Sequence, residues 1–279
     1  MNKAIRVFRR AIALLLFVLV AFYIIFYFAQ QPLIYQSERS ITRTPSAFGW
    51  QFEDINVPVG SEITTGWFIP ADDAHGTILF CHGNGANVGL HLDATRLFRE
   101  MHYSVLIFDY GGYGKSTGSP SERRVYGDAM AMWNYLTTER NLAPNSIVIW
   151  GSSFGGAAAC DLASKVKPAT LVLESTFTSM ADAAFSDYPY FPADWFLHSH
   201  FKSIDKIGKV PCPVLIIHSI DDTQYPIAHG RALFERAQEP KQFIETRGDH
   251  YDTVPPKSFY IPKIVKFIES HIEHQRPVH

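Results

Sequence analysis

The sequence predicts an α/β chain: a mostly parallel central sheet flanked by helices, preceded by one N-terminal transmembrane helix. Three observations predict it. Short, continuously apolar runs such as Val105-Leu106-Ile107-Phe108 recur between helical stretches, the pattern of strands buried on both faces. The pentapeptide Gly151-Ser152-Ser153-Phe154-Gly155 directly follows one of these runs and leads into Gly156-Ala157-Ala158-Ala159. An uncharged apolar stretch, Ala11 to Ala29, precedes all of them.

Residues 1–30 read as a basic stub and a membrane anchor. As a helix rising 1.5 Å per residue, Ala11 to Ala29 spans about 28 Å, close to the hydrocarbon thickness of a bilayer. Lys3, Arg6, Arg9 and Arg10 precede it, whereas Glu38 and Arg39 lie beyond its far end. The positive-inside rule leaves the N-terminus in the cytoplasm and everything after Gln30 on the exported side, in a bacterial periplasm or an endomembrane lumen. The absence of an N-x-S/T sequon leans toward the bacterial envelope. Tyr23, Phe26, Tyr27 and Phe28 cluster at the outer end, as interfacial aromatics do. A cleavable signal peptide is the rival reading, but its apolar region would be unusually long and no A-x-A site follows at Ala29-Gln30-Gln31. A retained signal-anchor in contact with the bilayer through residues 11–29 is the expectation.

Residues 31–50 read as a polar, irregular linker, and 51–279 as one domain. With 279 residues, 47% hydrophobic, the chain has ample material for a single large core. Its formal net charge of -2 and the lack of a basic run in the body argue against nucleic acid as a partner. Phe52 to Val59 and Ile63 to Ile69 form strands around a turn at Gly60-Ser61. The order is then strand 77–80, helix 88–101, strand 105–108, helix 122–139, strand 147–150, helix 154–166 and strands 171–173 and 214–217. An edge strand at 242–245 and an amphipathic helix at 259–272 close the chain. Cys81, Cys160 and Cys212 are scattered, without CxxC or Cys/His spacing. They read as small core hydrophobes, with one disulfide at most. Neither a metal nor a cofactor is expected, since the chain has no metal-ligand spacing and no Gly-rich phosphate loop.

The pentapeptide fits a nucleophile elbow, a tight strand-to-helix turn that exposes a serine hydroxyl above a sheet. Gly151 and Gly155, two residues either side of Ser153, let strand and helix pass. Ser152 falls outside the G-x-S-x-G frame and reads as structural. A serine hydroxyl needs a base to take its proton, and the base needs an acid to fix its tautomer. In an elbow-type fold these follow in the order serine, acid, histidine. Asp221-Asp222 follows strand 214–217, and His250 lies in Arg247-Gly248-Asp249-His250 after strand 242–245. Glu174, at the end of strand 171–173, is a rival acid, and Asp249 is too close to His250 in sequence to face its ring. The backbone N–H of Phe154 is the expected first oxyanion donor. The second is assigned to the N–H of Asn84, in the loop Cys81-His82-Gly83-Asn84-Gly85. His82 reads as a residue that orders this loop, not as the base.

His82-Gly83-Asn84, the block Asp109-Tyr110-Gly111-Gly112-Tyr113-Gly114-Lys115-Ser116, Pro120-Ser121-Glu122 and the elbow together resemble the membrane-anchored α/β-hydrolases of the Bem type. Their relatives include abhydrolase-domain lipases and protein depalmitoylases. The resemblance runs from about residue 30 to residue 270 and implies the α/β-hydrolase fold. The acid motif of that family, H-G-x-x-D-x-x-V-P, aligns with His218 to Pro226 and implies Asp222, not Asp221, as the acid. Ser219 stands in place of its glycine, Tyr225 in place of its valine, and Gly111 where an arginine is often present. Gly248-Asp249-His250 matches the G-x-H setting of the family histidine.

An insertion of about forty residues separates Glu174 from Val214, with its cap portion at about 177–210. It carries Phe177, Phe185, Tyr188, Tyr190, Phe191, Trp195, Phe196 and Phe201. These aromatics either line an acyl pocket or pack a cap onto the sheet. His198 and His200 form no convincing metal set. The expected activity is serine hydrolysis of carboxylic ester or thioester bonds in lipid-like or acylated substrates. A serine peptidase on the same triad is the alternative, followed by a non-catalytic scaffold.

Overall fold

The computed structural model describes residues 3–187, 193–250 and 257–272. A hairpin of β1 (Glu53–Val59) and β2 (Glu62–Ile69) is followed by β3 (Gly76–Cys81), α2 (Leu92–Glu100), β4 (Tyr103–Phe108), α3 (Glu122–Asn134), β5 (Ile147–Ser152), α4 (Gly155–Ala163) and β6 (Thr170–Glu174). After α5 (Met180–Asp187) and α6 (Ala193–Phe196) come β7 (Val214–Ser219), α7 (Ala228–Arg236), β8 (Lys241–Thr246) and α8 (Lys257–Glu269). The strands form one eight-stranded sheet in the order β1-β2-β4-β3-β5-β6-β7-β8. Only the pairs made by β2 are antiparallel, while the sheet from β4 to β8 is parallel.

Alternation along each strand divides the core between the two faces. In β5, Ile147 and Ile149 join a cluster with Val125, Ala129, Met132 and Leu162 under α3 and α4. Val148 and Trp150 join Leu92 and Phe98 of α2 and Ile264, Phe267 and Ile268 of α8 on the other face. Because both faces are covered, the central strands carry no polar side, which is why they read as unbroken apolar runs.

The predicted strands are all present, and β8 is a sheet edge as expected. Helix α2 starts four residues later than the predicted 88–101, because Asp109 Oδ1 takes the Val88 N–H (2.9 Å) and Leu90 N–H closes a turn on Asn87 O. Helix α7 is not predicted from the sequence. Its buried residues are only His229, Gly230 and Leu233, too weak a stripe to mark its period.

The N-terminal helix α1 runs Lys3–Ile34, and with a mean hydropathy of 2.8 over its most apolar 18 residues it is long and apolar enough to cross a membrane. Its last turns are not free of the body. Gln30 is buried, donates from Nε2 to Phe196 O (2.9 Å) and accepts from His198 N–H (3.2 Å). Tyr23 and Phe26 lie 6.0 and 6.2 Å from the Phe196 ring. Residues 31–50, read as a linker, are likewise attached: Tyr35 is buried, Ser37 bridges Ala86, and Phe48 and Trp50 pack against the core cluster that holds Leu92 and Phe98. Their hydrogen bonds to the domain run through the backbone of Ile34, Gln36, Glu38 and Ser40 and through the side chains of Tyr35, Arg39 and Arg43.

The Pro120-Ser121-Glu122 motif explains itself in the packing. Ser121 Oγ caps α3 by accepting from Arg124 N–H (3.2 Å), and the Glu122 carboxylate accepts the N–H groups of His200 (2.6 Å) and Phe201 (3.0 Å). The end of the insertion is thus fastened to the start of α3. Gly111 is required for a different reason: a Cβ there would stand 2.6 Å from Arg124 Cγ. Arg124 occupies that space, donating to Asp128 (2.7 Å) and pairing with Glu62, while Gly111 N–H donates to the other Asp128 oxygen (2.7 Å). Asp128 is fully buried and Arg124 nearly so. Removing one partner of such a pair strands the other charge. We therefore expect Asp128→Ala to lower the unfolding free energy by about 3–5 kcal/mol, measured by urea denaturation of the detergent-solubilised protein.

Candidate active site

The loops that matter leave the C-terminal ends of β3, β5, β7 and β8. At the end of β5 the chain turns so sharply that Ser153 adopts φ 53°, a left-handed conformation unusual for a residue with a side chain. Its backbone is held from β6, with Ser153 N–H donating to Glu174 O (2.8 Å) and Thr176 Oγ donating to Ser153 O (2.7 Å). Gly155 is indispensable at the crossing, since any Cβ would collide with the carbonyls of Cys81 and His82.

Three of the predicted side chains come together in hydrogen-bonded sequence. Ser153 Oγ lies 2.8 Å from His250 Nε2, and His250 Nδ1 lies 2.8 Å from Asp222 Oδ2. An ionised carboxylate can only accept, so Nδ1 carries the proton and Nε2 turns its lone pair to the serine. Asp222 Oδ1 accepts from the N–H groups of Gln224 (3.0 Å) and Tyr225 (2.8 Å). Burial works against the Asp222 charge, but the hydrogen bonds from His250 and Tyr225 hold its carboxyl below the usual carboxylate range. The edge of the His250 ring meets Tyr225, 5.0 Å between centroids.

The neighbours of these three residues have other occupations. Asp221 reaches the histidine loop by accepting from Gly248 N–H (3.3 Å), and Ser219 donates to Gly248 O. Ser219, in the place of the family glycine, therefore tethers the loop that carries His250, a role that the sequence did not disclose. Glu174 accepts from the Trp150 indole (3.0 Å). Ser152 ends β5 opposite Glu174 in the ladder.

The loop after β3 runs directly against the serine: a methyl group on Gly83 would sit 3.4 Å from Ser153 Cβ. Phe154, the other expected donor residue, opens α4, so its N–H belongs to the unpaired first turn of that helix. His82 is fully buried, contacts Gly83 O through Nδ1 (2.7 Å) and stacks on His91 at 4.6 Å. Burial, reinforced by His91, depresses its pKa, keeping the ring neutral within the loop it orders.

Of the aromatics in the insertion, Phe177 and Phe201 are fully buried, Phe201 against Phe154 (4.9 Å) and Phe177 against Tyr225 (5.1 Å). These two pack the cap. Phe196 rests on α1, and Trp195 is 84% exposed. Tyr188, Tyr190, Phe191 and the Phe185 side chain lie outside the described residues. His198 and His200 serve the attachments to Gln30 and Glu122 through their backbone N–H groups. The three cysteines are free and buried, and burial pushes the Cys160 and Cys212 thiols up to about 12.

An elbow serine with a histidine and an acid on later strand loops defines the serine-hydrolase class of α/β proteins. The Hydrolase_4 family, described as serine aminopeptidase, S33, matches residues 72–206. The human alpha/beta hydrolase domain-containing protein 17B is 33% identical over 197 residues, 70% of this chain and 67% of the relative. An uncharacterized protein of Mycobacterium tuberculosis is 31% identical over 226 residues, 77% of this chain and 80% of the relative. An esterase of Pyrococcus furiosus superposes with TM-score 0.70 at 18% identity, over 85% of this chain and 97% of its own. An α/β-hydrolase of Vibrio vulnificus does so with TM-score 0.67 at 22% identity, over 79% and 82%. The chain belongs to the α/β-hydrolase family and has its fold.

Asp109, from the Asp-Tyr-Gly-Gly-Tyr-Gly block, underlies this site: Oδ1 accepts the Val88 N–H, 3.9 Å from His82 Nε2. Burial pushes its carboxyl up to about 7, opposed by the Val88 N–H and by the charges of Arg39 and Lys115. The unfolded chain releases this proton near pH 4 and the folded chain near 7, so Asp109 lowers stability as pH rises between them. We expect Asp109→Asn, which retains an acceptor for Val88, to gain stability relative to wild type from pH 4 to 7 and to level off above. Urea titrations at several pH values measure this, and a pH-independent difference would contradict it.

Proposed function

We propose that the protein is a membrane-anchored serine hydrolase cleaving carboxylic ester or thioester bonds of lipid-like or acylated substrates. The observation that carries the reading is the sequence of two 2.8 Å contacts from Ser153 Oγ through His250 to Asp222. Ser153 Oγ attacks the carbonyl carbon while His250 Nε2 takes its proton. The N–H groups of Phe154 and Asn84 stabilise the oxyanion. His250 returns the proton to the departing alkoxide or thiolate, leaving an acyl-enzyme that water opens by the same steps in reverse. Asp222 orients His250 and favours its imidazolium.

The long apolar α1 and the basic residues before it support a single-pass anchor with a cytoplasmic N-terminus. The Pyrococcus neighbour is an esterase by name, which agrees with oxygen-ester chemistry. The family description favours one second reading, peptide hydrolysis on the same triad. p-Nitrophenyl esters of graded chain length, compared with an aminoacyl p-nitroanilide, separate the two.

A fluorophosphonate probe tests the nucleophile. Wild type should label and Ser153→Ala should not, while Asp222→Asn should lower kcat by about 10³–10⁴. An unlabelled wild type, or a Ser153→Ala variant labelled equally, would sink the proposal. Trp195 bears on the membrane: it projects from α6 beside Phe196, which rests on the aromatic end of α1. Amphipathic rings favour the interfacial layer. Trp195→Ala should slow hydrolysis of a long-chain ester in vesicles several-fold while leaving a short soluble ester unaffected.

A further inference from the structure

The chain leaving the anchor passes directly over the oxyanion loop. The Asn84 side chain donates from Nδ2 to Ile34 O (2.8 Å), and its Oδ1 accepts from Gln36 N–H (3.1 Å) and from Tyr113 OH (2.8 Å). Both polar atoms of the side chain are thus engaged away from the catalytic serine. The contact continues on either side. Glu38 N–H donates to Ala86 O (3.0 Å), and Asn87 Nδ2 donates to the carbonyls of Glu38 (3.2 Å) and Ser40 (2.8 Å). From the opposite flank Gly114 N–H donates to Glu38 O (2.9 Å), and Arg39 donates to Ser116 O (2.6 Å).

These bonds fall where the loop most needs them. Gly85 and Ala86 have φ of 91° and 52°, two consecutive left-handed residues, one of them bearing a Cβ. Such a loop persists only where its surroundings over-determine it. The strap also reaches the other expected donor residue, Phe154. Tyr35 packs edge-on against Phe154 (6.0 Å) and is itself fixed by a hydrogen bond to Ser199 Oγ (2.8 Å).

We propose that residues 34–40, the exit from the membrane helix, act as a positioning strap that sets the spacing of the two oxyanion donors, Asn84 through its side chain and Phe154 through Tyr35. This rests on the reading of Asn84 and Phe154 as oxyanion donors. The strap touches neither substrate nor Ser153; it acts by fixing where the Asn84 N–H points. An oxyanion donor works only within a few tenths of an ångström of the developing charge, so a loosened loop loses transition-state binding more than substrate binding.

The test uses the full-length protein in detergent, with Asn84→Ala, which keeps the backbone N–H but releases the strap, and the conservative Tyr35→Phe, which removes the hydrogen bond that fixes the strap to Ser199. On a short soluble ester, kcat should fall about 10–100-fold in Asn84→Ala, less than the full loss of a donor, and by a smaller factor in Tyr35→Phe. KM should stay within about twofold. The pH profile of kcat/KM should not move, because His250 and Asp222 are untouched. Affinity for an alkyl boronic acid, whose tetrahedral adduct occupies the oxyanion site, should fall by the same factor as kcat/KM. If Asn84→Ala fails to fold, the same correlation is read on Tyr35→Phe. A labelled, active wild type whose variants keep kcat/KM, or lose it only through KM, or bind the boronate as tightly as before, would overturn the strap. A wild type that the fluorophosphonate does not label would overturn the hydrolase reading, and the strap with it.

Discussion

The left-handed backbone of Ser153 is the constraint around which the rest of this molecule is arranged. A non-glycine residue in that conformation costs on the order of 1–3 kcal/mol, and hydrogen bonds to its backbone recover it. The recovery comes from the neighbouring strand, where Glu174 O and Thr176 Oγ engage the serine backbone, and from Gly156 N–H, which donates to Ser153 O (3.0 Å). Each such bond contributes about 1 kcal/mol, so three of them match the strain. The turn also forces β5 and α4 together until Gly155 lies on the carbonyls of Cys81 and His82. A parallel sheet is what makes this possible, because it brings the ends of β3, β5 and β6 to one level.

The same sheet edge explains how an acid and a histidine far apart in sequence meet the serine. Strands β7 and β8 are parallel neighbours, with Ser219 opposite Thr246 in the ladder. The loops that follow them therefore begin side by side. Ile220 N–H donates to Thr246 O (3.0 Å), and Ser219 and Asp221 hold Gly248. By the time the chain reaches Asp222 and His250, their relative position is already decided by backbone contacts. The buried carboxylate keeps its charge through the hydrogen bonds from His250 and from the Tyr225 N–H. Asp221 and Asp222, alike in sequence, differ in that one secures the loop and the other contacts the ring.

The parts of this arrangement that were legible in the sequence are those encoded locally. The elbow is a contiguous motif between a strand and a helix, and strands buried on both faces betray themselves by composition alone. The order of Ser153, Asp222 and His250 followed from the rule that catalytic loops come after strands. What stayed illegible depends on contacts distant along the chain. Nothing in residues 31–50 has a period, so their attachment to the domain through Tyr35, Ser37 and Phe48 left no trace in the pattern. Glu122 looks like an ordinary first-turn acid of a helix, yet it binds two N–H groups almost eighty residues away. Helix α7 was missed because a histidine and a glycine supply most of its buried face.

The polar irregularity of 31–50 acquires a physical sense once its partners are known. A segment that joins a long apolar helix to a folded domain has backbone groups to satisfy at the point where the helix ends. Here Ile34 O goes to Asn84, Glu38 O to Gly114 and Asn87, and Ser40 O to Asn87. The loop after β3 faces the complementary problem at its left-handed Gly85 and Ala86. The two segments satisfy each other through the Ser37–Ala86 bridge and these hydrogen bonds, contacts that no local sequence pattern reveals. The helix end is fixed on its other side by Gln30 and the Phe196 and His198 backbone. The end of α1, the cap and the loop after β3 thereby meet at one junction, and that loop in turn runs against Ser153 through Gly83.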